Sequence, residues 1–310
     1  MMRPLAVVGN LNVDLIMGPI SPWPLAGTEV IADHEQLRAG GAAAYVALTW
    51  LALGAEFQMA ANIGNDTFGQ WLAGSFKDHS GSWPKQATST TISVGITHPD
   101  GERTFFTTRG HLQELSWPAV RANLDEEELR GGLLLVGGSF LTDSLTKDYH
   151  LLFDWALAND ISVALDPGWP NGGWTEELIT KARDWVGRSN YLLINEIEAK
   201  HLTGDETIEA SLESLHEILP DDGVAVIKAG LLGAFTKDAH GALLNCKAPK
   251  VIVIDTIGAG DVFNASFLSA IAQGQDVGRA LSAGVNSASI AISTMPRQYA
   301  PNKSTLKRSA

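Results

Sequence analysis

The sequence predicts a three-layer α/β/α fold, with a mainly parallel sheet between two helical layers and a small β-sheet beside it. Two observations carry this. From residue 133 onward, short apolar runs at 133–136, 161–165, 191–194 and 224–228 alternate with helical stretches at 144–158 and 176–186, without internal repeats. Parallel neighbours are joined only by long crossovers, so strand–helix alternation means a parallel sheet covered on both faces. Against that rhythm, residues 28–32, 91–96 and 103–107 are rich in β-branched and aromatic side chains, the last two about a His98-Pro99-Asp100-Gly101 turn. Such segments form a small sheet of their own.

In chain order, Leu5-Ala6-Val7-Val8 runs to Gly9 and reads as a buried parallel strand. Its carboxyl end delivers Asn10, Asn12 and Asp14 to the sheet edge, where ligands of such sheets bind, although Asn12 and Asp14 could equally serve a turn. Gly40 and Gly41 lead into a helix of small residues, 42–53, closed by Gly54, and its start leaves room for a ligand against the backbone. Residues 55–63 read as a strand, 64–69 as a helix start capped by Asn65 or Asp66, and 78–90 as polar and irregular. Asn195 and Glu198 follow the strand at 191–194, three apart on one side of a helical turn, as a capping pair or a ligand-facing pair. The strand at 224–228 ends in Lys228 and gives way to the loop Ala229-Gly230-Leu231-Leu232-Gly233-Ala234.

The most informative stretch lies near the C-terminus. An apolar run at 251–254 leads into Asp255-Thr256-Ile257-Gly258-Ala259-Gly260-Asp261-Val262-Phe263, read as a strand, a tight turn and a helix start. Gly258 and Gly260 leave no side chain over the turn, so the first N–H groups of the helix can point at an anion such as phosphate. Asp261 falls in the first helical turn, where the dipole favours its ionised form and makes it available as a base. Anion site and base in one turn suit phosphoryl transfer to a hydroxyl; an ordinary close-packed turn is the alternative. A dinucleotide fingerprint would need a small residue where Phe263 stands.

Composition narrows the partners. Thirty-five acidic against 22 basic side chains give a net charge of −13, which argues against nucleic acid and anionic membranes. The single cysteine, Cys246, excludes an internal disulfide and fits a reducing cytosol, where it fills space near a strand. With no apolar stretch of signal-peptide or membrane-span character, the expected location is the cytoplasm.

The string Asp255-Thr256-x-Gly258-Ala259-Gly260-Asp261-x-Phe263 resembles the C-terminal signature of the ribokinase-like (PfkB) carbohydrate kinases, and about six motifs in order extend the resemblance over nearly the whole chain. It implies one ribokinase-like domain, 1–310, with a lid over the sugar formed by segments 11–39 and 90–109. It implies transfer of the γ-phosphate of ATP to a primary hydroxyl of a sugar or sugar-like alcohol, with Asp261 as base and the turn of residues 257–260, including Gly258, Ala259 and Gly260, as anion hole. Asn12, Asp14, Gly40, Gly41 and Tyr45 then fall at the substrate, with Arg103 and Arg109 as candidate lid cations. Asn195, Glu198, Lys228, Gly230, Gly233 and Asn286 fall at the nucleotide, Glu198 holding Mg²⁺ through water. Asp255 and the Ile257 carbonyl match a monovalent-cation site, such as one for K⁺. The chain departs from the family pattern at Tyr45, where an asparagine is usual, at Ala42, Gly168 and Pro170, and at Pro296, where many members have a glycine-containing cation-site stretch.

Two other readings stand beside the sugar kinase. A nucleoside kinase of the same family could stack a base on Tyr45 and the lid aromatics, and would bind the free base tightly. A non-catalytic ligand-binding or regulatory protein on the same scaffold would explain the departures and would show no ATP turnover. An exposed edge of the small sheet could also pair two subunits as a homodimer.

Overall fold

A computed structural model describes residues 2–99 and 103–301. In chain order the strands are β1 (Leu5–Gly9), β2 (Asn12–Gly18), β3 (His34–Gly40), β4 (Gln58–Ala60), β5 (Ile63–Gly64), β6 (Lys85–Gln86), β7 (Ile92–Thr97), β8 (Arg103–Thr107), β9 (Leu133–Gly137), β10 (Ser162–Asp166), β11 (Tyr191–Asn195), β12 (Val224–Lys228), β13 (Ala234–Lys237) and β14 (Leu243–Cys246). Eight of them form the central sheet in the order β14-β13-β12-β11-β10-β9-β1-β4. Pairing is parallel from β4 to β12 and antiparallel only at the β13–β14 edge. The connections run outward from β1 in both directions, which opens a crevice at the carboxyl ends of the strands.

Side-chain alternation builds the three layers. Leu5 and Val7, Leu133 and Leu135, Leu193 and Val226 face one core, under the helices Ala42–Leu53, Ala259–Ala272 and Val277–Ser293. Their sequence neighbours Ala6, Val8, Leu134, Val136, Leu192, Ile194, Ala225 and Ile227 face the other, under Tyr149–Ala158, Glu176–Val186, Glu196–Thr203 and Ile208–His216. Strands buried on both faces must be apolar throughout, which is why these runs are continuous rather than alternating.

The small sheet has the order β3-β2-β7-β8. Its register lines up Arg38, Asp14, Ser93 and Thr107 across the four strands, so these side chains share one face. Two side chains tie it to the main body, the buried His111 and the half-buried Asp66. His111 accepts the Thr91 N–H at Nδ1 (2.9 Å) and reaches the Leu11 carbonyl through Nε2 (3.1 Å). Asp66, the observed cap of the helix Thr67–Ser75, also takes the Thr90 N–H (2.7 Å).

Some elements differ from expectation. Residues 28–32 form no strand: Val30 and Ile31 are exposed, and β2 takes His34–Gly40 and β7 as partners instead. The apolar run at 251–254 is not a strand either. The Ile254 and Asp255 N–H groups both turn to the Ile292 carbonyl, leaving Ile252 86% exposed. The helix expected at 144–158 breaks into Asp143–Lys147 and Tyr149–Ala158, and the strand expected at 55–63 is shortened to β4 and β5. Asp100 and Gly101 of the turn lie outside the described residues.

Candidate active site

The glycine turn closes on the helix Ala259–Ala272 with Gly258 as its N-cap, in the left-handed region at φ 73° and ψ 10°. A side chain is barred there twice over. The backbone conformation disfavours it, and a Cβ would stand 2.6 Å from the ring of Tyr45. Of the turn's amides, Ile257 N–H is already given to Asp255 Oδ1 (2.9 Å) and Ala259 N–H to the Thr256 carbonyl (3.2 Å). Among the described residues, those of Gly258, Gly260 and Asp261 retain no acceptor. Of the four amides expected at 257–260, those of Gly258 and Gly260 are free, and that of Asp261 joins them.

Asp261 is half-buried and makes no hydrogen bond among the described residues. Burial, reinforced by the charge of Asp166 and opposed by Lys228, pushes its carboxyl up to about 7. Loss of solvation thus outweighs the helix dipole, against the expectation that the dipole would hold it well ionised. Lys228, at the end of β12, donates to Asp166 Oδ2 (2.8 Å) and Asn264 Oδ1 (3.1 Å). Its Nζ lies 3.3 Å from where a Cβ on Gly260 would be, so the ammonium stands over the turn. Asn264, one helical turn beyond Asp261, donates to Asp166 Oδ2 (2.6 Å) and locks the three together. Asp166 Oδ1 takes the Gly168 N–H (3.2 Å), so the departure at Gly168 makes a turn held by Asp166.

Asn195 and Glu198 form a capping box. Asn195 Oδ1 accepts from the Ile197 and Glu198 N–H groups, while Glu198 Oε2 takes the Asn195 N–H (2.9 Å). Burial, with Asp166 adding to it, pushes Glu198 up to about 7. The charge of Asp166 thus raises the proton affinity of both Glu198 and Asp261, and Lys228 opposes it at each. Among the described residues these carboxyls do not close into a cluster of three or more that could hold a metal ion directly.

At the opposite end, Asp14 is 4% exposed and accepts the Tyr45 hydroxyl (2.6 Å) and the Asn12 amide (2.7 Å). Burial, more than Asp14, holds the Tyr45 phenol well above its usual range, so it stays a neutral donor. Gly40 and Gly41 serve close approach, since Cβ atoms there would strike the Asp14 carboxyl (2.1 Å) and the Asn10 carbonyl (2.3 Å). Two guanidinium groups lie against the Tyr45 ring, Arg38 at 5.6 Å and Arg297 at 5.7 Å from its centroid. Both donate to Asp255 Oδ2, at 2.5 and 3.0 Å. Burial would raise Asp255, but Arg38 and the Ile257 N–H, with Arg297, hold it below its ordinary value. With its Oδ2 taken by two cations, Asp255 does not fit the monovalent cation expected there.

Comparisons with known proteins identify the family. The model of the pfkB family carbohydrate kinases matches residues 2–303. The chain belongs to the PfkB family of carbohydrate kinases. It is therefore a phosphotransferase with an alcohol acceptor. It is 25% identical to the ribokinase of Bacillus subtilis (strain 168) over 96% of this chain and 95% of that one. A probable fructokinase-2 of Arabidopsis thaliana is 26% identical over 77% of this chain and 74% of its own. In fold, it superposes on Arabidopsis thaliana ribokinase complexed with ribose and ATP at a TM-score of 0.76, with 22% identity, covering 99% of this chain and 98% of that one.

Within this PfkB fold the residues expected from sequence are only partly brought together. Arg103 donates to Thr256 Oγ1 at the turn, whereas Arg109 is exposed and, among the described residues, accepts from Thr91 through its carbonyl rather than using its guanidinium. Gly230 and Gly233 bound the turn after β12, and Asn286 is exposed on the helix Val277–Ser293. Sequence reasoning missed Asp166, Asn264, Arg38 and Arg297. Asp166 had a signal, standing at the end of an apolar strand as Asn195 and Lys228 do. Asn264 had one in its spacing, three residues beyond Asp261. Arg38, two residues before Gly40, was legible only once paired with Asp14 across β2 and β3.

Proposed function

We propose that the protein is an ATP-dependent sugar kinase that transfers the γ-phosphate of ATP to a primary hydroxyl of a sugar or sugar-like alcohol. The observation that carries this reading is Asp261, free of hydrogen bonds and titrating near neutrality, beside three unpaired turn amides and the Lys228 ammonium. The acceptor O–H gives its proton to the Asp261 carboxylate as its oxygen bonds to the γ-phosphorus. The bond from that phosphorus to the bridging oxygen breaks, and ADP leaves. A base with a pKa near the working pH is well matched to this transfer and is worth roughly 10²- to 10⁴-fold. The N–H groups of Gly258, Gly260 and Asp261, with Lys228, stabilise the charge that develops on the transferred group.

Mg²⁺ entering with the nucleotide would be held through water by Glu198 and Asp166, and would neutralise phosphate charge. The adenine belongs by this reading to the end of the site formed by the loop after β12 and the helix Val277–Ser293, where Asn286, Leu231 and Leu232 are exposed. The small sheet acts as the lid, its inner row from Arg38 to Thr107 turned to the substrate. A homodimer through that sheet, whose edge strands β3 and β8 carry unpaired backbone groups, is part of the same proposal.

A nucleoside acceptor is less well supported. Tyr45 is 2% exposed and is covered by Gly258, with Arg38 and Arg297 against its ring, so it offers no free face to a base. A non-catalytic role leaves the free Asp261 and the Lys228–Asp166–Asn264 lock without a purpose. The test is ATP consumption with Mg²⁺ against a panel of sugars, sugar acids, sugar phosphates and nucleosides. Turnover on one class, lowered at least about 10²-fold in Asp261→Asn, is expected. Full activity in that variant would remove Asp261 from the mechanism.

A further inference from the structure

Arg38 and Arg297 have no part in the phosphoryl transfer described above, yet their side chains are only 7% and 5% exposed. Each uses Nη1 on Asp255. The remaining Nε and Nη2 of both are buried and find no acceptor among the described residues. Burying a charged donor without an acceptor is among the more costly things a fold can do, and here there are four such nitrogens around one tyrosine ring. Asp14 offsets part of the charge from a distance, but its hydrogen bonds go to Tyr45 and Asn12, so it answers none of these donors.

The pattern of the free atoms is informative. Nε–H and Nη2–H form the side-on edge of a guanidinium, two parallel donors spaced to meet both oxygens of a carboxylate or phosphate. Both arginines hold that edge free and spend Nη1 on Asp255, which fixes them from behind. Arg38 stands on the inner face of the small sheet directly across from Asp14. Arg297 comes from the C-terminal segment, and the two meet at the Asp255–Gly258 turn. A neutral polyol would supply hydroxyl groups, each weaker and less directional as an acceptor than an oxyanion.

We infer that the acceptor substrate carries an oxyanion, the carboxylate of a sugar acid or the phosphate of a sugar phosphate, bound by the Nε–Nη2 edges of Arg38 and Arg297. This rests on the kinase reading for the term "acceptor", but the binding site is testable without turnover.

The experiment is calorimetric titration of the full chain, without nucleotide, with D-glucose against D-gluconate, D-ribose against D-ribonate, and D-fructose against D-fructose 6-phosphate, each pair differing in the oxyanion. The charged member of at least one pair is expected to bind more tightly than its neutral partner. Arg297→Lys and Arg38→Lys keep the charge and lose the paired edge, and each is expected to weaken that ligand roughly 10- to 100-fold and the neutral one far less. Two variants on separate elements guard against one failing to fold, and thermal unfolding checks both. Preference for the aldonates or for the sugar phosphate separates the two oxyanion sources. Binding of neutral sugars with no gain for any charged partner, or no charged ligand binding at all, overturns the inference. ATP turnover with the same compounds is a separate readout: tight, arginine-dependent binding without turnover keeps this site and overturns the kinase reading, and turnover of neutral sugars alone does the reverse.

Discussion

The Lys228 end and the Arg297 end of the site are made from similar parts, a largely buried cation set against a carboxylate, but they differ in how far their hydrogen bonds are satisfied. Lys228 is answered by Asp166 and Asn264, and Asp166 in turn takes donors on both oxygens. Arg38 and Arg297 are answered only at Nη1, by Asp255 Oδ2 and more weakly by Gln36 and the Asp255 carbonyl respectively, and each keeps Nε and Nη2 in reserve. A satisfied network holds its members in place, which is what a transition-state charge needs from a fixed lysine. An unsatisfied one leaves donors that a ligand can answer. The contrast separates a positioning cluster from a recognition cluster on physical grounds.

The comparison can be broken at several points. The largest effect is expected at Lys228→Met, which removes the cation over the turn and lowers kcat roughly 10²- to 10³-fold in steady-state assays. Because Lys228 holds the Asp261 carboxyl down, the same variant is expected to move the rising limb of the pH profile to higher pH. In the unaltered protein, kcat/KM is expected to climb about tenfold per pH unit up to about 7 and level off above it, as Asp261 ionises. Stability runs the other way. The folded carboxyl keeps its proton to about 7 while the unfolded one releases it near its ordinary value of 3.8, so this group's contribution falls as pH rises through that window. Thermal unfolding at pH 8 is then expected to be higher for Asp261→Asn than for the parent; a lower value would argue against the raised pKa.

Smaller effects probe the other end. Tyr45→Phe deletes the hydroxyl that answers Asp14 and leaves a buried carboxylate oxygen without its donor, at a cost of about 1–3 kcal/mol in chemical denaturation. The smallest expected effect is none. Replacing K⁺ by a bulky organic cation should leave turnover unchanged, because Asp255 already has two guanidinium groups in place of an ion. Activation by K⁺ would show that one arginine leaves Asp255 in the working enzyme.

Much of the fold was legible before any coordinates. The apolar runs at 133–136, 161–165, 191–194 and 224–228 each became a parallel strand, because a strand buried on two faces has no choice but to be apolar. The run at 251–254 is equally apolar and failed as a strand, since a continuous run marks burial or an edge segment alike and periodicity does not distinguish them. Thr28-Glu29-Val30-Ile31-Ala32 failed for a related reason: β-propensity needs a partner, and β2 had two better placed.

Chain chemistry alone determined the layered α/β class, the glycine turn with Asp261 in its first helical turn, and the residues delivered to the sheet edge. These follow from local rules, namely side-chain periodicity, the conformational freedom of Gly258 and the amides that every helix start leaves unpaired. Tertiary structure alone decided the state of those groups. Which turn amides stay free, how far burial and Asp166 raise Asp261, and the meeting of Arg38 with Arg297, 259 positions along, across Asp255 all depend on distances between segments remote in sequence. Solvation and Coulomb terms are set by such distances, and no local pattern encodes them.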